Sequence, residues 1–280
     1  MNHTSTEGAT GGIYLYCLAR PECLSVLHKG LAEQGDLRGV DERYPVAALE
    51  EAGVVAVIGE VDPDEFCDQN LQMLPWVGPR ACRHEAVVER IMGASSVLPV
   101  KFGTIFRSRM GLKEFMNRHW KDIVRALDDL RNKAEWSIKG YLAEEEARRV
   151  VVAADPTIQS RLAALSLSPG ARYLQQKQLD AMIEAALRTG VARVTHELHE
   201  VLALDAVAST TLRCHAGAMT GRPERMVYNG GFLLTHAALP GFRAVLSEQR
   251  HTHQGAGLTF ELRGPWPPYN FCPAFSQGEP

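Results

Sequence analysis

Apolar and polar positions follow two rhythms along the chain, and each change of rhythm marks an element. Ile13-Tyr14-Leu15-Tyr16-Cys17-Leu18 is rich in β-formers and predicts a first strand. Pro21, tolerated as a first helical residue, precedes Leu24, Leu27 and Leu31 at helical spacing, which predicts a helix from Pro21 to about Gln34. A buried strand is expected from about Val54 to Val61, followed by Asp62 as the cap of a short helix through Phe66 and Cys67. A turn at Trp76–Pro79 leads to a helix with Val87, Val88, Ile91 and Met92 on one face. Val97–Phe106 reads as a strand with a proline near its start and a glycine inside, as suits an edge strand or a bulge. Beyond Ser108 a stripe of Leu112, Phe115, Met116, Trp120, Ile123, Val124, Leu127 and Leu130 predicts one helix of about 20 residues, roughly 30 Å long. Glu135–Leu142 then reads as the strand that closes the unit.

Strands and helices in this order fit a ferredoxin-like α+β sandwich, with helices on one face of an antiparallel sheet. The second half begins with Glu144-Glu145-Glu146, acids where a helix N-terminus favours them, and Ser168-Pro169-Gly170 interrupts the helical pattern. A long helix follows, carrying Leu174, Met182, Ile183, Leu187, Val194, Leu198, Val201 and Leu202, with Gly190 weakening its middle. Strands are expected at Thr211–Cys214 and Met226–Tyr228, with Gly230-Gly231 interrupting before Phe232-Leu233-Leu234. A helix over about Pro240–Glu248 leads to a last strand, Leu258–Arg263, and the prolines after Gly264 are expected to end its ladder. The expected organisation is therefore a tail over 1–11, a ferredoxin-like domain over 12–142, an α+β domain of related plan with a long connecting helix over 143–272, and a tail over 273–280.

Composition narrows the function classes. The 280 residues are 45% hydrophobic and 22% charged, within the soluble globular range. A net charge of −3 gives no basic footprint for nucleic acid and no polybasic attraction to a membrane, and no apolar run approaches the length of a spanning helix. The polar start, Met1–Gly11, lacks the pattern of a secretory signal, so a cytoplasmic location is expected. The six cysteines form no C-x-x-C pair and are read as reduced, buried thiols acting as small hydrophobes.

Catalytic chemistry finds no foothold in the motifs. His196 and His199 are three apart rather than the four a helical zinc protease needs, and they are read as two solvated histidines. There is no Walker A loop, no G-x-G-x-x-G after a strand and no nucleophile elbow. Lys101 and Lys139, within apolar strands, are read as snorkelling edge lysines. No catalytic residue, metal ligand or cofactor is expected, although a site assembled from distant residues stays open.

Several stretches, taken in order, resemble the gas vesicle accessory family GvpF/GvpL. They are Gly12–Tyr16, Tyr44-Pro45-Val46 with the Val54–Val61 strand, His84-Glu85, Leu98–Phe106, Glu135–Lys139, Tyr173-Leu174 with Lys177, and Gly264–Phe271. The chain departs from the family pattern at Ser137, where a glycine is usual, and at Gly230-Gly231, where a polar residue and alanine are usual. The resemblance implies a non-enzymatic protein of gas vesicle formation that binds the small, very hydrophobic main shell protein and works beside other accessory proteins. Surfaces and strand edges that later build a gas-excluding wall aggregate unless they are covered. Leu98, Lys101 and Phe102 on one edge, with Trp266 and Tyr269 near the C-terminus, are the candidate partner contacts, and Trp266 and Tyr269 are expected to pack the end of the last strand. Two alternatives remain: a small-molecule-binding regulatory module, and an enzyme whose site comes from scattered residues.

Overall fold

The computed structural model describes residues 11–27, 37–214, 221–273 and 275. They divide into two compact units, one drawn from Met1–Ala134 and Trp266–Pro280 and the other from Glu135–Pro265. The chain therefore leaves the first unit at the start of a strand and supplies it again near its C-terminus.

In the first unit β1 (Gly12–Ala19), β2 (Ala47–Glu51), β3 (Val54–Val61) and β4 (Val97–Pro99) form a sheet in the order β2-β3-β1-β4, and β5 (Ile105–Phe106) also pairs with β1. The pairings are antiparallel. With helical residues at 21–27 and helix α1 (Leu74–Met92) as crossovers, this is the expected ferredoxin-like arrangement. The predicted helix beyond residue 27 lies outside the described residues.

Its fourth strand, however, is the broken β4–β5 edge and not Glu135–Leu142, which belongs to the other sheet. Strand β2 has no counterpart among the strands expected from the sequence. Ala47-Ala48-Leu49-Glu50-Glu51 has weak β-propensity, and its place is set by the hairpin to β3. That hairpin turns on Ala52 (φ 47°) and Gly53 (φ 80°), the positive pair that a two-residue hairpin requires.

Helix α1 starts at Leu74, so Trp76–Pro79 is helical rather than a turn, and His84, Val87, Val88 and Ile91 are its buried residues. The expected single helix after Ser108 is two, α2 (Arg109–Arg118) and α3 (Trp120–Asp129), divided at His119. The division separates Trp120 from the buried stripe, and its indole donates instead to the Ala52 carbonyl (3.1 Å).

The second unit repeats the plan. Strands β6 (Lys133–Leu142), β7 (Ala208–Thr211), β8 (Arg225–Thr235) and β9 (Leu258–Trp266) take the order β7-β8-β6-β9. The first crossover is α4 (Glu144–Ala154), α5 (Pro156–Ala163) and α6 (Pro169–Ala203), and the second is α7 (Leu239–Thr252). Numbered within each unit, both sheets run second, third, first, fourth.

Helix α6 has 35 residues, about 52 Å at 1.5 Å per residue, and is unbroken at Gly190. Strand β8 runs straight through Gly230-Gly231, where an interruption was expected. A Cβ on Gly230 would stand 2.2 Å from the Tyr228 hydroxyl, so the missing side chain is the space in which the Tyr228 ring lies. Strand β9 likewise continues past Pro265 to Trp266, which an edge strand allows because a proline's missing N–H can face outward.

Candidate functional site

Three stretches far apart in sequence meet in the first unit around His84. Its imidazole sits on the inward face of α1 and is 3% exposed. Nδ1 lies 2.9 Å from the Tyr14 hydroxyl of β1, and Nε2 lies 3.1 Å from the hydroxyl of Tyr269. Tyr269 in turn donates to Glu85 Oε2 (2.9 Å), and Tyr14 accepts from the Gly103 amide (3.1 Å). With one proton on Nε2, the bonds run in a single direction from Tyr14 through His84 and Tyr269 to the Glu85 carboxylate. Tyr16 stacks on His84 at 5.7 Å, and Phe102 meets both Tyr14 and His84 edge-on at about 6 Å.

These surroundings fix the protonation states. Burial pushes His84 down to about 4, against a smaller upward pull from the Val100 backbone. Burial also raises Tyr14, pushes Tyr16 up to about 12 and raises Tyr269, with the Glu85 charge adding to the effect on Tyr269. At neutral pH the cluster is thus an uncharged relay that ends on one carboxylate.

The β4–β5 edge is a single strand opened by a turn. Val100 donates to Tyr16 and Leu15 donates to Thr104, so the chain on either side of the turn remains fastened to β1. Between them Thr104 bonds back to the Lys101 carbonyl through its amide (3.2 Å) and its hydroxyl (2.7 Å), and Gly103 has φ 84°. A turn with positive φ at its third residue is the type that calls for glycine there. The bulge expected within Val97–Phe106 is this turn.

The C-terminal segment forms a strap on the same unit. Pro267 and Pro268 are buried, and Tyr269–Phe271 makes one tight helical turn in which Tyr269 and Phe271 donate to the two proline carbonyls. Phe275 then meets Phe115 and His119 at 6.1 and 5.6 Å. Tyr269 therefore packs against α1 of the first unit and not, as expected, against the end of the last strand.

Of the five candidate contacts, Leu98 is 1% exposed and serves the core, Phe102 faces the tyrosines, and Tyr269 is engaged by His84 and Glu85. Lys101 and Trp266 are exposed, Trp266 by 37%. The structure brings the anchors of these two residues onto one imidazole. His84-Glu85 carried only a family resemblance in the sequence. A histidine three before Val87 and seven before Ile91 shares their helical face, and that spacing was the available signal of its burial.

Elsewhere, His199 is not solvated. Its ring nitrogens lie 2.8 Å from the Tyr228 hydroxyl and 3.2 Å from Ser209 Oγ, and only His196 is exposed. Lys139 lies on β6, an inner strand and not an edge. Cys17 and Cys23 are buried, Cys67, Cys82 and Cys214 are exposed and Cys272 is half-buried, so burial of the thiols holds only in part. Among the described residues no cluster of His, Cys, Asp and Glu could hold a metal, and no helix is long and apolar enough to cross a membrane. The second unit has a cleft of about 640 Å³ beside α7 and β9, lined by residues of both signs, including Glu146, Glu224, Arg250 and His251.

Two α+β units with one strand order define a tandem ferredoxin-like class of protein. Sequence comparison gives the family: residues 12–273 match that of the gas vesicle synthesis protein GvpL/GvpF, and the chain belongs to it. Gas vesicle protein L of Streptomyces sp. (strain CB03234) is 25% identical over 92% of both chains. Gas vesicle protein F of the same strain is 25% identical over 92% of this chain and 98% of that one. Gas vesicle protein L2 of Halobacterium salinarum is 23% identical over 96% and 94%. The crystal structure of GvpF from Anabaena sp. PCC7120 shares the fold with a TM-score of 0.70 at 16% identity, over 95% of this chain and all of that one. GvpF from Microcystis aeruginosa superposes with a TM-score of 0.60 at 17% identity, over 93% and 98%. The protein is thus one of gas vesicle synthesis.

Proposed function

We propose that the chain is a non-enzymatic adaptor of vesicle assembly, which holds the hydrophobic main shell protein and works with other accessory proteins in the cytoplasm where the wall grows. The observation that supports this is that Lys101 and Trp266 flank the two segments that meet at His84. Both are exposed, and each belongs to a segment bonded to the His84 relay. An exposed aromatic on a rigid proline segment offers apolar area at little entropic cost, and an exposed lysine on the turn adds a charge that can give direction to a contact. Co-expression of the tagged chain with the shell protein tests it. Wild type should retain the shell protein, whereas K101E/W266A should lose most of it while keeping the wild-type melting temperature to within a few degrees. Equal retention by that double variant would remove Lys101 and Trp266 from the interface, and no retention by wild type would remove the adaptor reading.

The cleft of about 640 Å³ supports a second reading, a small-molecule regulator, because its lining supplies apolar area together with both signs of charge. Saturable thermal stabilisation of the purified chain by a small metabolite would favour it.

A further inference from the structure

We propose that His84 is the positioning residue of the partner surface: its imidazole latches the Lys101–Thr104 turn and the Trp266–Pro273 strap together, and a second proton on that ring releases both. This rests on the adaptor reading for its purpose but not for its geometry. The turn reaches His84 through Gly103 N–H and the Tyr14 hydroxyl, and the strap reaches it through Tyr269. Each link uses a different ring nitrogen, so one side chain fastens two segments separated by more than 160 residues in the sequence.

The latch requires one nitrogen to accept. Tyr14 is fully buried, and because Tyr269 gives its proton to Glu85, Nε2 carries the ring proton towards Tyr269 and Nδ1 is left to accept from Tyr14. A proton on Nδ1 turns that acceptor into a donor facing another donor. It also sets a charge among the rings of Tyr14, Tyr16 and Phe102, with the Val100 carbonyl as a partial partner. Relief comes by withdrawal of the ring, which breaks the Tyr14 and Tyr269 links together.

The other titratable neighbours are Tyr14, Tyr16 and Cys17 on β1, Tyr269 on the strap and Glu85 on α1. The tyrosines and Cys17 are all shifted upward by burial, which leaves Glu85 to be separated by experiment. Arg83, next on the helix, is bonded to Glu42 and the Val40 carbonyl. If the released ring returns to its ordinary 6.5 from about 4, the open fraction should rise about 30-fold between pH 7.5 and pH 5.

Hydrogen exchange on the intact chain, corrected for intrinsic rates, tests this. In wild type, residues 100–105 and 266–273 should lose protection together by that factor, while Val54–Ile58 of β3 stays protected. His84→Gln offers a permanent acceptor and donor and should abolish the step, whereas Glu85→Gln should keep it. Tyr269→Phe should free the strap at both pH values and leave the pH step in the turn. Shell-protein capture, where wild type shows it, should fall with the same pH profile and become flat in His84→Gln. The latch is overturned if the two segments show no step or separate steps, if His84→Gln keeps the step, or if Glu85→Gln removes it. Should His84→Gln expose β3, Tyr269→Phe decides alone, and a strap as protected as in wild type counts against the latch. These exchange results stand whether or not the shell protein binds, so the latch and the adaptor reading can fail separately.

Discussion

The two units share one strand order and differ in what their histidines hold. In the first unit His84 is fully enclosed by aromatic rings and bonds a segment from the other end of the chain. In the second, His199 is half-buried on α6 and, among the described residues, bonds to Tyr228 and Ser209 of the neighbouring strands. The first unit spends its polar chemistry on long-range order, and the second spends length on helices. Leu167 just before α6, and Tyr173 and Leu174 in its first turns, are left exposed. One scaffold used twice can therefore carry a preorganised surface in one copy and an extended one in the other.

The largest effect should come from emptying either core. Phe242 is fully buried against Phe232 in the second unit, and Ile91 is fully buried on α1 in the first. Phe242→Ala should cost about 3–5 kcal/mol and Ile91→Ala about 2–5 kcal/mol. Urea unfolding read by exchange in each sheet shows whether each loss stays within its own unit.

Next in size is the pH dependence of the first unit. A histidine lowered from 6.5 to about 4 favours the folded state in its neutral form. Stability is then complete above pH 6.5 and falls as pH drops towards 4, because the unfolded chain binds the proton first. The full loss is about 3 kcal/mol, at about 1.4 kcal/mol per pH unit. Urea midpoints between pH 7.5 and 4 should show this in wild type, with the His84 contribution absent in His84→Gln.

Two glycines sharpen the contrast. Gly230→Ala should cost about 1–3 kcal/mol, since its methyl displaces the Tyr228 ring and with it the bond to His199. Gly103→Ala meets no atom within 4 Å, so only its φ of 84° opposes the substitution, at about 1–2 kcal/mol. Thermal melts of both variants check the order.

The smallest effect belongs to the surface of the second unit. Arg148 pairs with Asp180 and Glu184 between α4 and α6. Arg148→Ala should cost under about 1 kcal/mol, and less at high salt.

How much of this was legible in the sequence varies with the kind of signal. Stripes such as Val87, Val88 and Ile91 gave the long helices because a 3.6-residue period needs no partner to be seen. The ferredoxin-like class and the repeated plan followed from element order. Strand β2 was not legible, because alanines and glutamates become a strand only through pairing with β3. The assignment of Glu135–Leu142 to the first sheet failed for a related reason: alternation marks a strand but not its neighbours. In the site, Lys101 and Trp266 were named from the sequence, yet the relay between their segments was not. Hydrogen bonds between Tyr14, His84 and Tyr269 span 70 and 185 positions, and no local pattern reports them. The strap also gave no sign of its destination, since prolines end a ladder without saying where the chain goes next.

The most direct measurement places a photo-crosslinking phenylalanine analogue at 101, 266 or 174 in cells that also make the shell protein. Adducts with the shell protein at 101 and 266, with little at 174, are the predicted result. Adducts at 174 and none at 101 or 266 would contradict the account, because the partner would then be held by the second unit's helix and not by the surface around His84.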